Sequence, residues 1–172
     1  MGDKSGISKK RKMEITVDDK EHYLMAIALL TAKRSPDPDM GVGACIADAD
    51  GNVVGIGYNR HPYGCEGLSW DKKEKHKYVC HAELNAILNK NSVDVKGCSI
   101  YVTLLPCNEC AKIIIQSRIK EVVYLNEKMK EKRHIESRDL VFNMFKAADV
   151  RYRKLEIKDK IEIILELENK YI

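Results

Sequence analysis

Hydrophobic residues recur with two different periods along the chain, and the change between them predicts a mixed fold of helices and strands. Between residues 16 and 35 the apolar positions, among them Tyr23, Ile27 and Leu30, follow helical spacing. They predict a first helix that starts near an N-cap at Thr16 or Asp18 and ends at the prolines of "SPDPD". The segments "VGACIAD" and "VVGIGYN" flank a turn with a glycine and predict a β-hairpin.

After a loop rich in Gly, Pro and charge at 60–78, helix and strand patterns alternate. The further predicted elements are helices at about 80–90, 107–117 and 137–148, strands at 98–104, 121–125 and 150–156, and a C-terminal amphipathic helix. Strands that alternate with helices form a partly parallel sheet with helices packed on it. We therefore expect an α/β sandwich in one domain over residues 16–172, preceded by a disordered basic tail at 1–15.

The excess charge of the chain lies at its start. The 172 residues include 30 Lys and Arg against 26 Asp and Glu, and the whole net charge of +4 equals the excess within residues 1–12. The formally neutral remainder argues against a broad nucleic-acid-binding face, which requires clustered basic residues. The "KKRK" run is either a nuclear localisation signal or part of a solvated tail.

The apolar runs are short, which bears on location and on the cysteines. None approaches the roughly 18 residues of a membrane span, and the start of the chain lacks the apolar segment of a secretory signal. We expect a cytoplasmic protein that makes no membrane contact, with a nuclear fraction if the tail acts as a localisation signal. In that compartment the six cysteines stay reduced, so cysteines at metal spacing indicate ligands.

Two short segments, "VCHAELNAIL" and "LPCNECAKIII", contain residues suited to metal chemistry. Pro106 suits the first turn of a helix, and Cys107 and Cys110 then share one face of that turn, where free amides favour thiolates. Two thiolates make half of a tetrahedral zinc site, and His81 can supply a third ligand. Three protein ligands leave the fourth zinc position open, as in catalytic rather than structural sites.

Glu83 has a predicted role other than ligation. Residues two apart on a regular helix point about 200° away from each other, so His81 and Glu83 converge only where the helix starts. A carboxylate there can accept a proton from the attacking water, pass it to a ring nitrogen of the substrate and later protonate the departing amine. Taken singly, "HAE" and "CxxC" are also typical of a helix-start histidine, a redox motif or a zinc knuckle. Together, H-x-E followed by P-C-x-x-C is the signature of zinc-dependent nucleobase deaminases.

Around these motifs the chain resembles the deoxycytidylate (dCMP) deaminase family. The likeness runs from about Tyr23 to Arg153 through "DPDMGVGACIAD", "VVGIGYN", "YVCHAELNAILNKN", "DVKGCSIYVTLLPCNECAKIIIQ" and "IKEVVYL". It implies the three-layer α-β-α sandwich of the cytidine deaminases with a five-stranded mixed sheet. It also implies hydrolysis of dCMP to dUMP and ammonia, which supplies dUMP for thymidylate synthesis, and a homo-oligomer, commonly a hexamer.

The same resemblance assigns residues. It implies that His81, Cys107 and Cys110 bind one catalytic Zn²⁺ and that Glu83 is the proton shuttle. It further implies that Asn59 contacts the sugar and that the Ala82 backbone contacts the pyrimidine ring. Arg34 is the candidate for the substrate phosphate, although an arginine at a helix end is often only a partner of the helix dipole.

Two loops depart from the family pattern. "GYNRHPYGC" has Arg60 and Tyr63 where relatives often have glycine and asparagine, in a loop linked to nucleotide effectors, and "NEKMKEKRH" replaces a stretch near the bound nucleotide. Activation by dCTP, inhibition by dTTP and strict preference for dCMP are therefore open. Arg60, Lys128 and Lys130 are either new phosphate contacts or parts of solvated loops.

Some microbial relatives hold a second, structural zinc before the catalytic histidine, and Cys65, His76 and Cys80 lie in the corresponding region. The alternative is that Cys80, like Cys45 and Cys98, is a small buried apolar side chain.

Two other functions stay open at this stage. A deaminase of polynucleotide cytosine or adenine would use a basic face interleaved with aromatic residues, whereas this chain has one Trp and two Phe. A catalytically silent regulatory homologue would keep the zinc for stability, but it would have no use for Glu83. Another cytosine nucleotide is also a possible substrate.

Overall fold

The structure is a computed structural model that describes residues 20–127 and 132–156. Its helices are α1 (Lys20–Ala32), α2 (Ala82–Leu88), α3 (Asn108–Gln116) and α4 (Lys132–Ala147), with a 3₁₀ turn at Lys75–Lys77. Its strands are β1 (Gly43–Ala47), β2 (Val53–Tyr58), β3 (Ser99–Leu104), β4 (Glu121–Asn126) and β5 (Arg151–Lys154). The predicted basic tail, the N-cap of the first helix, Lys128, Lys130 and the C-terminal helix lie outside the described residues.

The five strands form one mixed sheet in the order β2-β1-β3-β4-β5. β1 pairs antiparallel with both β2 and β3, whereas β3, β4 and β5 run parallel to one another. The hairpin between β1 and β2 accounts for the antiparallel part, because a short turn can join only antiparallel neighbours. The helices between the later strands provide the crossovers that parallel pairing requires.

Two apolar clusters fill the space on either side of the sheet. Leu24, Met25 and Ala28 of α1 pack with Cys45, Tyr101 and Val123 on one face. On the other face, residues of α2, α3 and α4 pack against alternate positions of the same strands, including Ile46, Ile100 and Val122. This confirms the predicted three-layer α/β sandwich with a five-stranded mixed sheet. Within the described ranges, no helix is both long enough and apolar enough to cross a membrane.

Several predicted boundaries differ from the structure. α3 begins at Asn108, because Cys107 has an extended backbone (φ −75°, ψ 171°) and is the N-cap, so Pro106 precedes the helix and does not open it. α2 is shorter than 80–90 because His81 is likewise an extended N-cap (φ −72°, ψ 160°). The loop at 60–78 includes the short 3₁₀ turn at Lys75–Lys77, which the sequence pattern did not indicate.

Two glycines of β2 let α2 lie directly on the strand. A Cβ atom added at Gly57 would lie 2.2 Å from the Ala86 nitrogen and 2.3 Å from the Ala82 carbonyl oxygen. At Gly55 it would lie 2.5 Å from the Ala86 carbonyl oxygen. The obstructing atoms belong to the helix backbone, so only a shift of the whole of α2 would relieve the contact.

We expect Gly57→Ala to lower the free energy of unfolding by about 3 kcal/mol, at the upper end of the usual cost of overpacking. Urea denaturation followed by circular dichroism measures the change. The matched control is Gly67→Ala, since no atom lies within 4 Å of a Cβ built there, and its effect should stay within about 0.5 kcal/mol. Equal stability of the two variants would contradict the close packing of α2 on β2.

Candidate metal centre

The starts of α2 and α3 meet and bring three ligand side chains together. His81 is the N-cap of α2, Cys107 is the N-cap of α3, and Cys110 follows in the first turn of α3. The Nδ1 atom of His81 lies 3.4 Å from the Cys107 sulfur and 3.3 Å from the Cys110 sulfur. Metal ions are held by His, Cys, Asp and Glu side chains. Within the part of the chain that the structure describes, His81, Cys107 and Cys110 are the three such side chains that lie close enough together to share one ion.

The geometry of this group fits zinc. Zinc bonds of about 2.05 Å to nitrogen and about 2.3 Å to sulfur, at a tetrahedral angle, place the two ligand atoms about 3.6 Å apart. The observed separations of 3.3 and 3.4 Å are close to this value. Cys110 is buried, whereas His81 and Cys107 are partly exposed. The structure thus brings together the three residues that the sequence predicts as ligands.

The two cysteines differ in charge. The hydrogen bond from Cys110 lowers the pKa of the Cys107 thiol to about 4; burial opposes this shift, and His81 and the Cys110 amide favour it. The same hydrogen bond, together with burial, raises the pKa of Cys110. The contact within the pair thus favours the thiolate at Cys107 and the protonated thiol at Cys110. Because metal ligation requires both thiolates, binding of a divalent ion releases a proton.

Glu83 lies beside this group but does not belong to it. It sits in the first turn of α2 and is buried, with 4% of its surface exposed. Burial raises the pKa of its carboxyl group, while its own backbone amide and His81 act in the opposite direction. The carboxyl group is thus well placed to accept a proton and to keep it away from bulk water. The Glu83 carboxyl group lies close enough to His81 and Cys110 for both to influence its pKa, because His81 is the N-cap of the helix whose first turn holds Glu83.

Asn59 directly follows β2. It is buried against the loop that precedes β1. Its Oδ1 accepts a hydrogen bond from the Val42 amide at 2.7 Å. Its Nδ2 donates to the Met40 carbonyl at 3.0 Å and to Asp37 Oδ2 at 3.3 Å. Both amide hydrogens are therefore used within the protein. One acceptor position on Oδ1 is left for a ligand, since an amide oxygen has two lone pairs.

Arg34 lies at the end of α1 and faces a cavity of about 290 Å³. Its guanidinium lies 5.1 Å from the centre of the Tyr58 ring. Arg60 lines the same cavity, and its guanidinium lies 3.5 Å from the centre of the Tyr63 ring. The structure thus brings together two arginines that are far apart in sequence. The remaining lining residues are Pro36, Tyr58, His61, Glu66 and Trp70.

Two buried polar residues near this region had no assigned role from sequence. The His61 ring stacks on Trp70 with 4.1 Å between ring centres, and it is 2% exposed. Lys75 is 6% exposed and contacts two aspartates, Asp37 and Asp39. It belongs to a run of charged residues, which by itself predicts a solvent-exposed loop. The Lys75 contacts join segments that are distant along the chain, so no sequence signal marks this residue. His61 and Trp70 belong to one loop, whose sequence does not indicate that their rings stack.

The candidate second metal site is not assembled. Cys65, His76 and Cys80 are all described, but they do not form a group close enough to share an ion. Instead, the Cys80 backbone exchanges two hydrogen bonds with Arg60, at 2.8 and 3.1 Å. This pairing fixes the chain immediately before His81.

We expect the purified protein to hold about one zinc ion per chain. Cys107→Ala should hold less than about 0.1 zinc ion per chain, because a site with only three protein ligands binds zinc weakly once one of them is removed. Atomic absorption after dialysis measures the metal. Cys65→Ser is the control and should keep the wild-type zinc content. Two zinc ions per chain, with one lost in Cys65→Ser, would reinstate the second site.

Known proteins share both the sequence and the fold. A sequence profile of the cytidine and deoxycytidylate deaminase zinc-binding region matches residues 18–126. Human deoxycytidylate deaminase is 52% identical over 140 residues, which cover 77% of each chain. A probable deoxycytidylate deaminase of Drosophila melanogaster is 46% identical over 142 residues, which cover 75% of this chain and 68% of that protein.

A solved structure of the dCMP deaminase from cyanophage S-TIM5, in complex with dCMP and dUMP, superposes with a TM-score of 0.66 at 28% identity. The superposition covers 84% of this chain and 100% of the phage enzyme. The matched profile includes all three metal ligands and Glu83. The chain belongs to the cytidine and deoxycytidylate deaminase family.

Proposed function

We propose that the protein is a zinc-dependent hydrolase that converts dCMP to dUMP. Oxygen from water replaces the amine at C4 of the cytosine ring, and ammonia leaves. The observation that carries the proposal is the buried carboxyl group of Glu83 beside three ligand atoms at zinc spacing. The choice of dCMP rests on relatives named deoxycytidylate deaminases and on the phage enzyme in complex with dCMP and dUMP.

Each residue of the centre has a distinct task. His81, Cys107 and Cys110 would hold the zinc, which lowers the pKa of a bound water to about 7 and makes it a nucleophile at neutral pH. Glu83 accepts one proton from the attacking water and delivers it to a ring nitrogen; it then takes the second proton of that water, from the hydroxyl now on C4, and gives it to the departing amine as the C4 carbonyl forms. Burial suits this relay, because a raised carboxyl pKa lets Glu83 hold the proton between the two transfers. The backbone of Ala82, at the start of α2, contacts the pyrimidine ring, and the free lone pair of Asn59 accepts a sugar hydroxyl.

We expect Glu83→Gln to lower kcat for dCMP by about 10²- to 10⁴-fold while zinc content stays at the wild-type value, because the amide cannot transfer protons. The absorbance change of cytosine on deamination follows the reaction. Glu109→Gln is the matched control, since Glu109 is an exposed carboxylate in the first turn of α3 that pairs with Lys112. It should keep wild-type turnover.

The substrate panel for this assay is dCMP, CMP, deoxycytidine and a cytosine-containing oligonucleotide. Turnover of the oligonucleotide with steep salt dependence would favour a polynucleotide deaminase. Bound zinc with no turnover of any member would favour a silent homologue and would contradict the proposal.

The two arginines of the cavity have separate proposed roles. We assign Arg34 to the phosphate of dCMP and Arg60, which replaces a residue of the effector-linked loop, to the phosphates of dCTP or dTTP. Both arginines line one cavity, and charge-assisted hydrogen bonds from arginine are strong contacts to phosphate. We also propose that the chain assembles into a homo-oligomer, namely a hexamer. We further propose that the protein is cytoplasmic, with a nuclear fraction that the basic tail directs.

We expect Arg34→Gln to raise the KM for dCMP by about 10- to 100-fold, which corresponds to the loss of one charge-assisted hydrogen bond. The KM for deoxycytidine should stay unchanged, because deoxycytidine has no phosphate. Arg60→Gln should keep the KM for dCMP measured without effectors and lose the response to added dCTP and dTTP. Steady-state kinetics with each nucleotide test both assignments. If Arg60→Gln alone raised the KM for dCMP, Arg60 would be the contact of the substrate phosphate and Arg34 the contact of the effector phosphates.

A further inference from the structure

Lys75 is a buried lysine whose ammonium group is fully committed to two aspartates. Its Nζ atom lies 2.7 and 2.9 Å from the two carboxylate oxygens of Asp37 and 2.9 Å from Asp39 Oδ2. The side chains of Lys75 and Asp37 are 8% and 6% exposed, respectively. An ammonium group has three hydrogens to donate, so these contacts use its whole donor capacity.

This ion pair is connected directly to Asn59. Asp37 Oδ2, which accepts from Lys75, also accepts from the Nδ2 group of Asn59 at 3.3 Å. The Asp37 carboxylate further accepts from the backbone amides of Asp39 and Met40 at 2.9 and 3.3 Å. Asp37 is thus the centre of a network that joins the 3₁₀ turn at Lys75–Lys77, the loop before β1 and the end of β2.

The network determines which way the Asn59 amide group faces. The Asp37 carboxylate and the Met40 carbonyl only accept hydrogen bonds, so both require the NH₂ group on their side, whereas the Val42 amide requires Oδ1. The free lone pair of Oδ1 thereby has a fixed direction. Without Lys75, the buried Asp37 carboxylate would lose the cation that both of its oxygens contact and would keep only the two backbone amides and Asn59 as partners.

We propose that Lys75 is a positioning residue for the substrate, acting through Asp37 to fix the orientation of the Asn59 amide that receives the sugar. This inference rests on the proposed function, in which Asn59 accepts a sugar hydroxyl. A buried ion pair usually contributes little net stability compared with apolar packing, whereas it imposes a definite geometry. A role in geometry therefore accounts for the burial of a lysine here better than a role in stability.

The ion pair keeps its charges across the neutral range. Burial favours the neutral forms, but the contacts with Asp37 and Asp39 raise the pKa of Lys75, and those with Lys75 and the two amides lower the pKa of Asp37. The stability that Asp37 contributes is present above its unfolded pKa and is lost only as pH falls through its lower folded value. The stability from Lys75 is lost only as pH rises through its raised value. Substrate positioning by this network is thus constant near pH 7.

The test compares Lys75→Met with Lys72→Met. Lys72 is the matched control because it binds the same Asp39, at 3.1 Å, but its side chain is 78% exposed. We expect Lys75→Met to raise KM for dCMP by about 5- to 10-fold with kcat per bound zinc within about 2-fold, as for a contact made equally in the ground and transition states. Lys72→Met should match the wild type. A purely structural role would instead lower the folded, zinc-loaded fraction and leave KM of that fraction unchanged.

Combination with Asn59→Ala tests whether Lys75 acts through Asn59. Asn59→Ala alone should raise KM, and adding Lys75→Met to it should cause no further rise, since the two changes remove one interaction. If Lys75→Met does not fold, Asp37→Asn serves in its place, because it keeps the shape of the side chain and removes its charge. Additive effects, or an unchanged KM in either single variant, would overturn the proposal.

Equilibrium binding separates this inference from the proposed function. Calorimetry with dCMP on zinc-loaded Glu83→Gln protein measures substrate affinity without turnover. Adding Lys75→Met to that protein should weaken the affinity about 5- to 10-fold, in line with the change in KM. If the wild type fails to deaminate dCMP but this difference in affinity is present, the proposed reaction fails while the positioning role stands. If turnover is normal and the affinities are equal, the positioning role fails alone.

Discussion

The metal centre depends on the contact of the α2 backbone with the backbone of β2. Gly55 and Gly57 provide that contact, since any side chain at either position would meet atoms of the helix backbone. The depth of α2 fixes the position of its first turn, and with it His81 and Glu83. α3 is fixed separately, by Ala111 and Ile114 in the core of the same face. The ligand group exists only where these two independently packed helix starts meet.

The electrostatics of the centre follow from its place at two helix starts. His81 and Cys107 are the N-cap residues of α2 and α3, so both lie at the positive end of a helix dipole. That environment favours anionic sulfur, and the hydrogen bond from Cys110 concentrates the charge on Cys107. Glu83, buried a short distance away, is pushed in the opposite direction by desolvation. The site therefore shifts the pKa values of its two acidic groups in opposite directions, which suits one to bind metal and the other to transfer protons.

Prediction from sequence succeeded where the chemistry is local and failed where it depends on distant loops. The spacing of Cys107 and Cys110 and the adjacency of His81 and Glu83 are fixed by a single helical turn, so the motif alone located them. The alternation of strands and helices likewise predicted a partly parallel sheet covered by helices, and the family resemblance implied its three layers and five strands. The boundaries of α2 and α3 were misplaced by one or two residues because an N-cap has the residue types of a helix and the backbone of a strand. Lys75 could not be found, because its burial is imposed by two aspartates almost forty positions earlier.

The end of β2 connects the two parts of the site that sequence reasoning treated separately. Side chains alternate along an extended segment, so Asn59 points towards Asp37 while Tyr58 and Arg60 line the cavity with Arg34. The backbone of Arg60 is in turn held by Cys80, directly before His81. A ligand between the two arginines would therefore act on the same short segment that carries Asn59 and that anchors the entrance to α2. Coupling between this cavity and the metal centre requires no long pathway, since two backbone hydrogen bonds and one residue separate Arg60 from the first zinc ligand.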